Sequence, residues 1–190
     1  TKDLPGLSFG LALFAKPRIA FKKQFKSIDL DLTPLHQVIA ASQPSVLIGC
    51  SAQAGAFNET TVKLLLTYLR NPIILPLSNP TEKAEATPQD LIEWSNGKAR
   101  IATGSPYDPV IYKGAEFVIA QCNNALIFPG IGLGCNLVKA SKISQDMLWT
   151  ASQSLAKIGC GQKTLLPDIA GIRMVSAKIA VDVAKKALDE

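Results

Sequence analysis

The chain has 190 residues, of which 47% are hydrophobic and 18% charged, and its mean hydropathy is +0.19. This composition excludes an intrinsically disordered protein, because disorder needs low hydrophobicity and high net charge. No apolar run approaches the roughly 18 to 20 residues that cross a bilayer, and no signal-peptide pattern opens the sequence. We therefore expect neither a membrane protein nor a secreted one, and the length suits about one domain.

The net charge of +5 is concentrated in residues 1–26, which carry six basic residues against one acidic residue; the remaining residues are balanced. Phe21 and Phe25 lie four residues apart in this basic leader, as on one face of a helix, which would turn the lysines toward water. We interpret residues 1–32 as a leader or linker helix and expect no nucleic-acid binding, because no other feature indicates it. Residues 33–190 are then predicted to form the main folded part.

Four cysteines stand far apart in the sequence, without a CxxC motif or a neighbouring histidine. A zinc site built by this chain alone is therefore not expected, and we predict small, reduced, buried cysteines; a metal or redox role is the alternative. These residues are Cys50, Cys122, Cys135 and Cys160.

Three short apolar runs separated by helical patterns predict an α/β fold with a parallel sheet. The predicted strands are Val46–Cys50, which we expect to be buried on both faces, Ile73–Leu77 and Arg100–Thr103. A first helix is predicted to begin at Thr33-Pro34. A second is predicted to follow Asn58 as its N-cap and to reach Leu69. A third is predicted to begin at Thr87-Pro88 and to extend through Trp94.

The rest of the chain is predicted to be mostly helical, since its apolar residues recur three or four apart. The predicted helices are Leu133–Ile143, Gln145–Ile158 and Ile169–Leu188.

Ligands of open α/β sheets bind at the carboxyl ends of the strands, and small or polar residues follow each predicted strand. Asn79 follows the second strand, and Pro80 keeps its backbone out of the helical region. Its amide suits a carboxylate or carboxamide, although an Asx turn is the simpler interpretation. Similar segments are Gly49–Gly55, Thr103–Pro106 and Gln121–Asn124.

Gly130, Gly132 and Gly134 form a G-x-G-x-G run that permits either an anion at a helix N-terminus or close helix packing. Glu85 and Asp108 are isolated carboxylates, which we place on the surface. Residue chemistry alone thus predicts a nucleotide-sized crevice lined by amides, with no acid, base or nucleophile.

Several long segments resemble the malic enzymes, and the likeness covers essentially the whole chain in order and spacing. The segments are Leu77-Ser78-Asn79-Pro80-Thr81, Ala84-Glu85-Ala86-Thr87, Ala102-Thr103-Gly104-Ser105-Pro106-Tyr107, and the run from Gln121-Cys122-Asn123-Asn124 to Gly134. The combination is most similar to the bacterial NAD-dependent branch. The resemblance implies a Rossmann-like parallel sheet flanked by helices, truncated at its N-terminal side and followed by a helical C-terminal portion.

Malic enzymes oxidise (S)-malate with NAD or NADP and decarboxylate the bound oxaloacetate to pyruvate and CO2, using Mg²⁺ or Mn²⁺. The resemblance implies that Gly49, Cys50, Ser51 and Asn79 border the cofactor, and that Asn79, Asn123 and Asn124 contact malate. It also implies a cytoplasmic protein that forms a homodimer or homotetramer. NAD is the expected cofactor, with NADP as the alternative.

The general-acid Tyr, general-base Lys, malate-binding Arg, metal ligands and dinucleotide turn of the family correspond to no residue in this sequence. We therefore assign no catalytic or metal-binding residue and expect a fragment without turnover of its own. Two other functions stay open: a malolactic enzyme, which yields lactate, and a stand-alone nucleotide- or metabolite-binding module without catalysis.

Overall fold

A computed structural model describes residues 6–15, 17–24, 34–161 and 163–190. Two short helices precede the main part of the fold: α1, Phe9–Phe14, and α2, Arg18–Gln24. Helix α2 lies within the segment that was predicted to be a leader or linker helix, and its Lys22 and Lys23 are exposed. Phe25, Thr33 and the predicted boundary near residue 33 lie outside the described residues.

Within the described residues, the central sheet has four parallel strands, whose order across the sheet is Val46–Gly49, Ile73–Pro76, Arg100–Thr103 and Ala120–Gln121. A separate antiparallel hairpin pairs Val110–Tyr112 with Ala115–Phe117. All three predicted strands are confirmed. The strands are β1 Val46–Gly49, β2 Ile73–Pro76, β3 Arg100–Thr103, β4 Val110–Tyr112, β5 Ala115–Phe117 and β6 Ala120–Gln121.

Six further helices and three 3-10 turns follow α2 within the described residues. The helices are α3 Leu35–Ser42, α4 Glu59–Leu66, α5 Pro88–Trp94, α6 Phe128–Leu137, α7 Gln145–Gly159 and α8 Ile172–Leu188; the turns are Thr81–Lys83, Asn124–Leu126 and Ile169–Gly171. The predicted N-cap at Asn58 is confirmed, since its Oδ1 accepts from Thr61 N at 3.0 Å. The predicted helix start at Thr87-Pro88 is also confirmed, and there Thr87 Oγ1 accepts from Asp90 N at 3.1 Å.

The prediction that the second half is mostly helical is wrong for β4, β5 and β6. Lys113 and Gly114, with φ of 50° and 76°, form the turn that joins β4 to β5. Two successive positive φ angles suit a two-residue hairpin, but the sequence lacks the Asn-Gly or Asp-Gly pair that announces one. The predicted helix Leu133–Ile143 also differs from the structure, because α6 begins five residues earlier, at Phe128, and ends at Leu137.

Helices α3, α4 and α5 cover one face of the sheet. The side chains of β1 point alternately to the two faces of the sheet. Leu47 is buried on the helix-covered face, whereas Val46 and Ile48 on the other face are 41% and 57% exposed. The prediction that this strand is buried on both faces is therefore wrong, because no described residue covers its second face fully. The core between helices and sheet includes Ile39, Leu47, Val62, Leu65, Ile74, Leu91, Ile92 and Ile101.

A second core lies between α6, α7 and α8 and shares no residue with the first. Its buried members are Met147, Ala151, Val175, Ile179 and Val183. Gly130 and Gly134 of α6 face α8, where a Cβ added to Gly134 would lie 2.7 Å from Ala180 O. The glycines at both ends of the G-x-G-x-G run thus permit close helix packing, which was one of its two interpretations. None of the described helices is long and apolar enough to span a membrane.

The four cysteines form no disulfide. The prediction that they are buried is wrong: Cys50 and Cys160 are exposed, and Cys122 and Cys135 are partly buried. Cys50 directly follows a strand and Cys160 directly follows a helix, so both lie where the chain leaves the packed elements. Burial raises the pKa of the Cys122 thiol, and Cys50 raises it further.

Candidate functional site

Four polar turns leave the carboxyl ends of the parallel strands at one edge of the sheet. We call this set the carboxyl-edge site. Its turns are Gly49–Ala52 after β1, Leu77–Pro80 after β2, Thr103–Ser105 after β3 and Gln121–Asn124 after β6. The fold therefore brings together all the segments that the sequence predicted to line a ligand crevice.

Asn79 is exposed at the rim of this site and follows β2 by three residues. Its Oδ1 accepts a hydrogen bond from Ser105 Oγ of the turn after β3. Among the described residues no backbone N–H donates to the Asn79 side chain, so the amide bridges two turns instead of closing an Asx turn. Its peptide bond to Pro80 is cis.

Gly104 allows the turn after β3 to approach Asn79. A Cβ at residue 104 would lie 2.3 Å from the backbone oxygen of Leu77 and 3.0 Å from Asn79 Nδ2. Gln121 Nε2 donates to Gly104 O at 3.2 Å, which ties the fourth turn to the third. The position of the Asn79 amide thus depends on close packing of three adjacent turns.

Asn123 and Asn124 are exposed at the end of β6. Asn123 Oδ1 accepts from Ala125 N at 2.9 Å and thereby caps the 3-10 turn Asn124–Leu126. A backbone N–H can only donate, so this bond holds the amide oxygen inward. No described residue accepts a hydrogen bond from Asn123 Nδ2, which leaves this group available to a carboxylate.

Gly49, Cys50 and Ser51 form the first turn. Cys50 and Ser51 are exposed, whereas Gly49 is buried. A Cβ on Gly49 would lie 2.5 Å from Glu85 Cδ, so this glycine makes room for a carboxylate beneath the turn. The close contact with Glu85 is therefore by itself a structural reason for a glycine at residue 49.

Glu85 is fully buried, and its predicted surface position is wrong; Asp108 is exposed as expected. Glu85 Oε1 accepts hydrogen bonds from Ser51 N at 2.7 Å, Ser51 Oγ at 3.1 Å and Ser78 Oγ at 2.6 Å, and Oε2 accepts from Ser78 N at 3.4 Å. Ser51 lies 34 residues before Glu85 along the chain, and Ser78 lies seven residues before it, on the other side of the Thr81–Lys83 turn. The residues next to Glu85 in sequence therefore give no sign of its burial.

Two opposing effects set the pKa of Glu85. Burial raises it, but the hydrogen bonds from Ser78 and Ser51 stabilise the ionised form and together hold the pKa below its ordinary value. The buried carboxylate is thus kept charged by hydroxyl and amide donors.

Glu85→Gln is expected to lower the free energy of unfolding near neutral pH by about 1–3 kcal/mol, because a neutral amide replaces a charged acceptor of buried donors. A carboxylate with a depressed pKa stabilises the fold above its unfolded pKa, and this contribution is lost as the pH falls through the folded pKa. The difference in free energy of unfolding between wild type and Glu85→Gln should therefore close as the pH falls below 4.5, the ordinary pKa of glutamate. Urea unfolding across this range measures it; the exposed Glu82→Gln is the control, and a gap independent of pH would contradict the assignment.

Among the described residues, no three His, Cys, Asp or Glu side chains come together as a ligand set. The exposed amides, the hydroxyls and the backbone groups of the carboxyl-edge site instead suit a polar organic ligand such as a nucleotide cofactor. Such groups can bind a ligand and orient it.

Comparison with known proteins identifies the family. The profile described as "Malic enzyme, NAD binding domain" matches residues 7–188, nearly the whole chain. The chain belongs to the malic enzyme NAD-binding domain family. The resemblance seen in its motifs is thereby confirmed.

Bacterial relatives carry the same family name. The chain is 46% identical over 160 residues to the NAD-dependent malic enzyme of Vibrio campbellii, covering 82% of this chain and 28% of that protein. It is 49% identical over 162 residues to the NAD-dependent malic enzyme of Aeromonas hydrophila, covering 83% and 29%. The chain thus spans less than a third of the length of these curated malic enzymes.

A solved structure shows the same fold. The NAD-dependent malic enzyme of Thermotoga maritima matches with a TM-score of 0.62 at 25% identity, covering 79% of this chain and 34% of that one. This match confirms the predicted Rossmann-like α/β fold of the malic enzyme domain.

Proposed function

We propose that this chain is the cofactor-binding portion of an NAD-dependent malic enzyme, which oxidises and decarboxylates (S)-malate to pyruvate and CO2. The observation that carries the proposal is that Ser51, Asn79 and Asn123 each follow the carboxyl end of a strand in one parallel sheet, in a member of the malic enzyme NAD-binding domain family. The relatives named NAD-dependent malic enzyme support NAD as the cofactor.

The residues of the carboxyl-edge site bind and orient in this proposal. Gly49, Cys50 and Ser51 border the cofactor, and Asn79 reaches its nicotinamide end and the substrate. NAD, when bound, accepts the hydride that malate loses. The bond from Ser105 fixes the Asn79 amide before ligand arrives, which reduces the entropic cost of binding.

Asn123 and Asn124 bind the malate carboxylate in this proposal. The inward bond of Asn123 Oδ1 to Ala125 N directs the opposite, donating end of the amide away from the backbone. A carboxylate accepts from such a donor, and Asn124 adds a second amide beside it.

The complete enzyme is proposed to be a cytoplasmic homodimer or homotetramer, with its catalytic acid, base and divalent metal ligands in parts that this chain does not supply. Malate-dependent NADH formation by the 190-residue chain alone would contradict this division. Pyruvate as the product of the complete enzyme supports the malic reaction, and lactate would replace it with the malolactic one.

Asn79→Ala is expected to raise the Kd of this chain for NAD about tenfold, because it removes the amide that the site holds at its rim. NAD titration followed through backbone amide NMR signals measures even weak binding. Asn71→Ala is the matched control, because Asn71 is an exposed asparagine at the opposite, amino end of β2. Equal Kd values for the two variants, or a wild-type chain whose carboxyl-edge signals do not respond to NAD, would overturn the proposal.

A further inference from the structure

We infer that Glu85 is a positioning residue, which locks the turn after β1 and the turn after β2 into one arrangement so that NAD meets a preformed site. The inference rests on the proposed function and assigns a role to a buried carboxylate that makes no contact with ligand itself.

The Glu85 carboxylate joins the turn after β1 to the turn after β2. Ser51 contributes its backbone N–H and its hydroxyl, and Ser78 contributes the same two groups from the neighbouring turn. Ser78 Oγ also accepts from Ala52 N at 2.8 Å, which closes a second link between the turns. A change at Glu85 therefore acts on both turns at once.

The chemistry of the donors requires a carboxylate. Backbone N–H groups cannot accept, so a group that faces Ser51 N and Ser78 N must present oxygen on both of its arms. Among the described residues no Lys, Arg or His pairs with Glu85, so these four donors are what offset the cost of burying its charge. The Gly49 backbone closes over the carboxylate and leaves no room for a side chain there.

One residue in each of the two turns connects Glu85 to the proposed ligand site. Ser51 is itself an exposed member of the first turn, and Ser78 is bonded directly to Asn79. Displacement of Ser78 is thus passed to the Asn79 amide, whose contact with Ser105 tolerates little movement because Gly104 packs against Leu77. A turn held in its bound arrangement binds more tightly than one that must be ordered by the ligand.

The experiment compares Glu85→Gln with Glu82→Gln, an exposed glutamate on the adjacent 3-10 turn, at a temperature at which both variants are folded. Amide hydrogen exchange should accelerate about tenfold or more at Ser51, Ala52 and Ser78 in Glu85→Gln only, while Ile74 in β2 keeps its protection. Unchanged exchange at these three amides would overturn the inference whether or not NAD binds.

The second readout is a double-mutant cycle on the Kd for NAD. Glu85→Gln should raise the Kd about five- to tenfold in the wild-type background and about twofold or less in the Asn79→Ala background, because the lost interaction passes through Asn79. A purely structural role would lower stability and leave the Kd of the folded chain unchanged, which would overturn the inference. A wild-type chain that binds no NAD would overturn the proposed function and, with it, the positioning role, whereas the exchange result would still show whether Glu85 holds the turns.

Discussion

Replacing Gly130 and Gly134 together by alanine is expected to lower the free energy of unfolding by about 4 kcal/mol, from roughly 2 kcal/mol at each overpacked position. A Cβ on Gly130 would lie 2.7 Å from Ile179 Cβ, and one on Gly134 would lie 2.7 Å from Ala180 O and 3.0 Å from Val183 Cβ. These neighbours are backbone or branched, buried side chains of α8, so α6 must move away from α8 to admit the new methyl groups.

Gly132→Ala is the matched control in the same helix. Among the described residues outside the backbone of α6 itself, no atom lies within 4 Å of a Cβ at residue 132, and alanine is the better helix former by about 0.5–1 kcal/mol. Urea unfolding should therefore show a large loss for the double variant and no loss, or a small gain, for Gly132→Ala. A double variant as stable as wild type would mean that α6 and α8 are not in close contact.

Gly104→Ala is expected to cost about 3 kcal/mol or more and to weaken NAD binding at least as much as Asn79→Ala does. The added Cβ would lie 2.3 Å from Leu77 O, a backbone atom of the neighbouring turn, and would also press against the Asn79 amide. The two turns must separate to relieve this contact, which displaces Asn79 from the rim.

Unfolding in urea and NMR titration with NAD measure the two effects separately. Gly171→Ala is a suitable control, because Gly171 has an ordinary φ of −86° and a Cβ there would meet no atom within 4 Å. Gly104→Ala with wild-type affinity for NAD would show that the spacing of these turns does not control the site.

The α/β class was predictable because each of its signals is local. The apolar runs of β1, β2 and β3 and the caps Asn58 and Thr87 are written in a few adjacent residues, and the structure confirms them. The hairpin and β6 were missed because their strands are short and because the hairpin turn lacks the usual Asn-Gly or Asp-Gly pair. Strand β6 has two residues, and its pairing with β3 is a non-local contact that no sequence window contains.

The location of the candidate site was also predictable, since parallel strands place all their carboxyl ends at one edge. Asn79, Asn123 and Ser51 therefore lie where the sequence placed them, and their binding roles remain proposals. Glu85 was not predictable from residue chemistry, because an isolated glutamate is normally exposed. Its burial depends on Ser51, which is 34 residues away along the chain, and on Ser78, which is seven residues away across a 3-10 turn. The long motif that contains Glu85 was nevertheless a signal that the residue type matters.

The separation of the two cores has a consequence for cooperativity. The sheet core and the core of α6, α7 and α8 share no buried residue, and the 3-10 turn Asn124–Leu126 lies where the chain passes from β6 to α6. We therefore expect each core to open with its own free energy, which would make stability a property of each region and not one value for the chain. The asparagines that precede and begin this turn stand at the junction of the two regions, so the geometry of the amide pair depends on both regions being folded at the same time.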